Sequence, residues 1–211
     1  MRTNATTDRP AWGIYLLEIL SNAVLVLLFG YFAYWHGANF IEHQRIGSLL
    51  LLLIVSLTVL FVLIRELPTV ISFSPLCWFL AIGGTISSLL FRPADHSNEF
   101  IVGHAVQCLG IVLALWAISS LNKSFGIVPS NRGIKRDGMY RFVRHPLYFS
   151  YIVAYLGYIA NNLTLYNGAV LLAVLVFQIS RIFREERLLM RDEQYRAYAA
   201  ETRWRLVPWV F

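Results

Sequence analysis

Between Ile46 and Ile64 the chain carries no charge, and only Gly47, Ser48, Ser56 and Thr58 interrupt its apolar residues. A helix crossing the roughly 30 Å hydrocarbon core of a bilayer needs about 20 such residues. Comparable runs occupy residues 12–35, 70–91 and 100–121. Soluble cores do not need runs this long, and the charge content agrees. Only 14% of residues are charged, where a soluble domain has about a quarter. A fifth apolar stretch, residues 147–179, is broken by Asn161, Asn162, Asn167 and Gly168. It reads as a helical hairpin turning near Asn161 and Asn162, with a first arm of only about 20 Å at 1.5 Å per residue. The expected fold is all-α: a polytopic integral membrane protein with four spanning helices, a C-terminal helical hairpin and a cytoplasmic tail helix. Residues 1–121 are expected to form the membrane bundle, and residues 122–211 a second region made of the basic loop, the hairpin and the tail.

The basic residues orient it. Arg45 and Arg92 fall in the first and third connections. The remaining sixteen Lys and Arg occupy the N-terminus, the second connection, the 122–145 loop and the tail. These four regions share one side if the first four segments each span and the hairpin returns to the side it left. The positive-inside rule makes that side cytoplasmic, with both termini and the basic loop on it. The net charge of +6 then reflects topology and attraction to anionic lipid headgroups, and nucleic acid is not an expected partner.

The first half is chemically quiet. Glu18 and Asn22 lie one helical turn apart. An intramembrane carboxylate points to function, while one at a segment's start also reaches the interface. His36 and His43 flank a short non-cytoplasmic connection and read as interfacial. Gly83 and Gly84 read as a site of close helix packing. Cys77 and Cys108 lie inside apolar segments and form neither a C-x-x-C motif nor a metal cluster. Glu18 is also part of the reason the first segment does not read as a cleavable signal peptide.

The second half differs. Gly126, Pro129, Gly133 and Gly138 punctuate a basic loop. It ends in Arg144, His145, Pro146, Leu147 and Tyr148. Pro146 suits the first turn of a helix and pushes His145 away from helical geometry. A helix N-terminus flanked by arginine and histidine favours an anion, either a ligand carboxylate or a lipid phosphate. The tail supplies Arg181, Arg184, Glu185, Glu186 and Arg187, then Tyr195 and Tyr198. Its two adjacent carboxylates could hold a cation or form ordinary i,i+4 pairs on a solvated helix. Helix is expected to continue from the membrane to about Ala200.

Together these segments resemble the isoprenylcysteine carboxyl methyltransferase family, in the broad sense that includes bacterial relatives and phospholipid N-methyltransferases. The resemblance rests on Gly138-x-Tyr140-x-x-x-Arg144-His145-Pro146-x-Tyr148, then Glu185-Glu186-Arg187-x-Leu189, Tyr195-x-x-Tyr198 and Arg205-Leu206-Val207-Pro208. One departure is Ser150, where many members have glycine. The resemblance implies an integral membrane methyltransferase using S-adenosylmethionine. Tyr140, His145, Pro146, Tyr148, Glu185 and Glu186 would then contact the cofactor. Arg144 would orient the nucleophile or the cofactor's carboxylate, and Arg144 and Glu185 are the catalytic candidates. The chain lacks a strand, glycine-rich turn and helix of the Rossmann type.

The implied acceptor is a lipophilic small molecule or lipidated substrate entering from the bilayer, foremost a carboxylate of the prenylcysteine type. A carboxylate is ionised at neutral pH (reference pKa near 4) and needs no general base. An ammonium or hydroxyl acceptor would need one, with His145 or Glu185 as candidates. Phospholipid N-methylation therefore stays open. So does an NADPH-dependent membrane sterol or steroid reductase, which has a similar R-H-P-x-Y region. Those enzymes tend to have asparagine before the tyrosine and an acidic residue soon after, where this chain has Leu147 and Phe149-Ser150. A non-enzymatic scaffold or transporter would need paired, broken helices with polar residues at mid-membrane.

Overall fold

A computed structural model describes residues 11–64, 70–71, 74–94, 100–121, 130–131 and 134–211. Seven α-helices run through the described residues: α1 (Ala11–His43), α2 (Ile46–Ile64), α3 (Pro75–Ser88), α4 (Ile101–Leu121), α5 (Pro146–Asn161), α6 (Leu165–Leu189) and α7 (Glu193–Glu201). A 3₁₀ turn spans Gly138–Arg141. Among the described residues the strand content is a two-residue antiparallel pair, in which Val70 faces Asn131 and Ile71 faces Ser130. The expected all-helical architecture is present. Gly126, Pro129 and Gly133 of the basic loop, and the side chain of Glu18, lie outside the described residues.

Among the described residues, three helical segments are long and apolar enough to cross a membrane: Asn22–His43, Ile101–Leu121 and Leu165–Leu189. Among its described residues, the 70–91 run, expected to span, is helical only as the 14-residue α3, which covers about 21 Å at 1.5 Å per residue. Two of its leading residues, Val70 and Ile71, pair instead with the basic loop. Large apolar side chains lie open on the bundle's outside, including Leu27, Ile41, Ile101 and Leu172. Such a surface suits lipid and would be a liability in water.

α5 packs along α4 with backbones in contact. A Cβ on Gly110 would stand 2.4 Å from the Ala154 nitrogen, and one on Gly157 2.3 Å from the Gln107 nitrogen. α3 meets α6 in a similar way, because a Cβ on Gly83 would enter the ring of Phe177. The glycine pair therefore serves helix packing, as its sequence context predicts. His36 departs from expectation: it is fully buried rather than interfacial, with its ring 4.2 Å from Phe32 and 6.4 Å from Tyr158.

The hairpin turns where its asparagines predict, and those asparagines bind backbone. Asn161 accepts from the Phe100 nitrogen at 2.7 Å and Asn162 from the Ala94 nitrogen at 3.0 Å. Asn167 accepts from the Arg92 nitrogen at 3.1 Å and donates to the carbonyls of Arg92 and Asn162. Arg45, in the α1–α2 connection, donates to the Ala94 carbonyl. Three connections thus meet at one end of the bundle, and the segments around Arg144 and the tail meet at the other.

Candidate active site

Pro146 opens α5, as its missing N–H allows, and His145 caps it in a non-helical conformation with φ −128° and ψ 57°. The preceding turn depends on Gly138, whose φ is +59°. A Cβ there would lie 2.0 Å from the hydroxyl oxygen of Ser120, so this position requires glycine on two counts. The turn delivers Arg144 and His145, both buried, to the end of α6.

The anion these residues face is the chain's own Glu186. Arg144 Nε donates to Glu186 Oε1 at 2.6 Å, and His145 Nε2 stands 3.2 Å from the same oxygen. Arg205 Nε donates to Glu186 Oε2 at 2.8 Å. Glu186 is 4% exposed, a degree of burial a carboxylate tolerates only when paired and hydrogen-bonded. Arg144 Nη1 also donates to the carbonyls of Ala199, Thr202 and Arg203, at 3.3, 3.0 and 3.3 Å. The backbone nitrogens of Arg144 and His145 donate to the carbonyls of Trp204 and Arg205, at 2.9 and 2.8 Å. The tail is thereby strapped across the start of α5.

Glu185 points elsewhere. It is half-buried, and its Oε2 accepts from the Tyr148 hydroxyl at 3.0 Å. The guanidinium of Arg181 lies 5.2 Å from the centre of the Tyr148 ring. A carboxylate has about four acceptor positions, so this one bond leaves Glu185 able to take an ammonium or hydroxyl donor. Glu186, with three side chains on it, is committed to the protein itself.

The tail is not one continuous helix. α6 ends at Leu189, and α7 starts after Asp192, whose carboxylate accepts from the Gln194 nitrogen at 2.8 Å. This break turns Tyr195 and Tyr198 back onto Tyr140, forming a buried cluster. Tyr198 donates its hydroxyl to the Tyr140 carbonyl at 2.7 Å. Burial pushes the phenols of Tyr140, Tyr195 and Tyr198 up, so all three remain protonated across ordinary pH. Pro146 and Ser150 are buried, and the Ser150 hydroxyl donates to the Leu147 carbonyl within its own helix.

Of the residues singled out by sequence, Tyr140, Arg144, His145, Pro146, Tyr148, Glu185 and Glu186 come together here. Arg205 joins them without having been assigned a role. Its signal was its place in the closing Arg-Leu-Val-Pro motif.

Residues 102–191 match the model of the isoprenylcysteine carboxyl methyltransferase (ICMT) family. The match includes α4 from its second residue, the Arg144–Tyr148 turn and both glutamates, and stops short of Tyr195, Tyr198 and Arg205. No curated protein matches the chain.

Proposed function

We propose that the chain is an integral membrane methyltransferase of the isoprenylcysteine carboxyl methyltransferase family using S-adenosylmethionine, a reading supported by the match of residues 102–191 to that family's model. Its acceptor in this reading is lipophilic and comes from the bilayer, with a carboxylate of the prenylcysteine type foremost. The active site and both termini lie on the cytoplasmic side. The supporting observation is the placement of Tyr148 against Glu185, beside an ion cluster that fixes the surrounding backbone.

The residues fit the cofactor. Glu185 has acceptor capacity for its α-ammonium or ribose, with Tyr148 beside it; Tyr140, His145 and Pro146 would back the site in this reading, and Glu186 would hold them through the ion cluster. When bound, the sulfonium supplies an already activated methyl group. The protein's task is alignment and exclusion of water, and good alignment alone can supply roughly 7–11 kcal/mol in favourable cases. Arg144 serves that task as a positioning residue, joining the start of α5 to Glu186 and to the tail's carbonyls. A carboxylate acceptor would attack without a base once stripped of water. An ammonium or hydroxyl acceptor would pass its proton to Glu185 or His145.

Equilibrium binding of labelled S-adenosylmethionine to the purified protein in detergent tests this reading. Saturable binding displaced by S-adenosylhomocysteine is expected. Binding of NADPH in its place would overturn the methyltransferase reading in favour of a reductase.

A further inference from the structure

Tyr195 stands in the first turn of α7 and is 4% exposed, yet its hydroxyl has no hydrogen-bond partner among the described residues. Its ring is well held, meeting that of Tyr198 edge-on at 5.7 Å and packing with Tyr140. The contrast with Tyr198, which donates to a backbone carbonyl at 2.7 Å, is sharp. Buried hydroxyls nearly always find partners because desolvation without one is costly. Tyr195 is therefore a donor in need of an acceptor.

Its surroundings belong to the candidate site. Ala199, one helical turn further along α7, has its carbonyl held by Arg144 at 3.3 Å. Leu189, one turn beyond Glu185 on α6, packs against the tyrosine cluster. Burial and the negative charges of Glu186 and Glu185 push the Tyr195 phenol up, so it stays a donor.

We propose that the Tyr195 hydroxyl is a binding donor for the nucleoside half of S-adenosylmethionine. The inference rests on the methyltransferase reading and assigns a part of the cofactor to residues outside the family match. An ammonium group has no lone pair to accept the bond. A carboxylate would sit against Glu185 and be repelled. Adenine ring nitrogens and ribose oxygens are neutral acceptors, and the hydroxyl that needs one belongs to a buried aromatic cluster with Tyr140 and Tyr198.

The test compares the full-length protein with its Tyr195→Phe and Tyr198→Phe variants in detergent. Binding of S-adenosylhomocysteine is measured by calorimetry, and thermal unfolding is followed without ligand. Tyr195→Phe should weaken binding about 5–20-fold, the weight of one hydrogen bond. It should leave ligand-free unfolding unchanged or shifted upward, since an unpaired buried hydroxyl is removed. Tyr198→Phe should lower the unfolding temperature. Unchanged affinity in Tyr195→Phe, or unfolding as low as that of Tyr198→Phe, would overturn the proposal. A second measurement uses the unaltered protein and an 8-azidoadenosyl analogue of S-adenosylhomocysteine. Photolabel on residues 193–201 is expected, and label found only elsewhere would also overturn it. If the unaltered protein binds neither S-adenosylmethionine nor S-adenosylhomocysteine, the methyltransferase reading itself fails.

Discussion

Arg144 Nε and Glu186 Oε1 are 2.6 Å apart across 42 residues of sequence, and both side chains are almost wholly buried. The pair joins the turn before α5 to the last turns of α6. Arg205 and His145 complete the carboxylate's shell. This arrangement separates two neighbouring glutamates into different tasks.

Glu186→Gln should therefore act on the fold. Removing one member of a buried ion cluster leaves the others unpaired and costs about 3–5 kcal/mol. A marked fall in thermal unfolding temperature in detergent is expected. Unfolding like that of the unaltered protein would mean that the cluster contributes little.

Glu185→Gln should act on the ligand instead. Loss of a charge-assisted hydrogen bond would weaken S-adenosylmethionine binding by about 1.5–3 kcal/mol with little change in unfolding temperature. Calorimetric titration reads both directly, and unaltered affinity would leave Glu185 as a partner of Tyr148 alone.

Arg144→Lys keeps the charge and should still fail. Lysine offers a compact point charge, while Arg144 uses Nε on Glu186 and Nη1 on three tail carbonyls at once. Turnover is expected to drop roughly 10²-fold through misalignment, and amide hydrogen exchange in residues 199–205 should speed up. Near-normal turnover and unchanged exchange would sink the strap role.

Gly157→Ala and Gly168→Ala form a steric contrast. The new methyl at position 157 would press on the Gln107 backbone at 2.3 Å, whereas position 168 has nothing within 4 Å. The first should destabilise by about 1–3 kcal/mol or more, and the second should be near neutral by the same unfolding assay. Equal effects would contradict the close α4–α5 approach.

Cysteines placed at Phe40 and Ala200, in a background without Cys77 and Cys108, test sidedness. Labelling with an impermeant reagent should reach position 200 from the cytoplasm and position 40 from the other face. Both reacting from one face would refute the topology.

What the sequence made legible followed from local chemistry. Pro146 marks a helix start and the asparagines mark the hairpin turn because each acts within a few residues. The break after Leu189 was also locally encoded, by Asp192 followed by Glu193, but the long run of helix formers around it hid the cap. α3 came out shorter than its apolar run because hydrophobicity does not distinguish helix from the extended pairing of Val70 and Ile71 with the loop. The ion cluster was the least readable part. Helix-surface arithmetic offers Glu186 neighbours on its own helix, while its real partners, Arg144, His145 and Arg205, come from two other segments.

The asparagine contacts at the hairpin tip are all between neutral groups. Neither acid nor added salt can weaken them by altering a charge, whereas Arg144, Glu186 and Arg205 hold the opposite end by ionic attraction. The two rims of the protein thus answer to different solution conditions. Against its burial, the pairing holds the Glu186 carboxyl down to about 2, so only strong acid would slacken that rim, and the far rim would stay fastened.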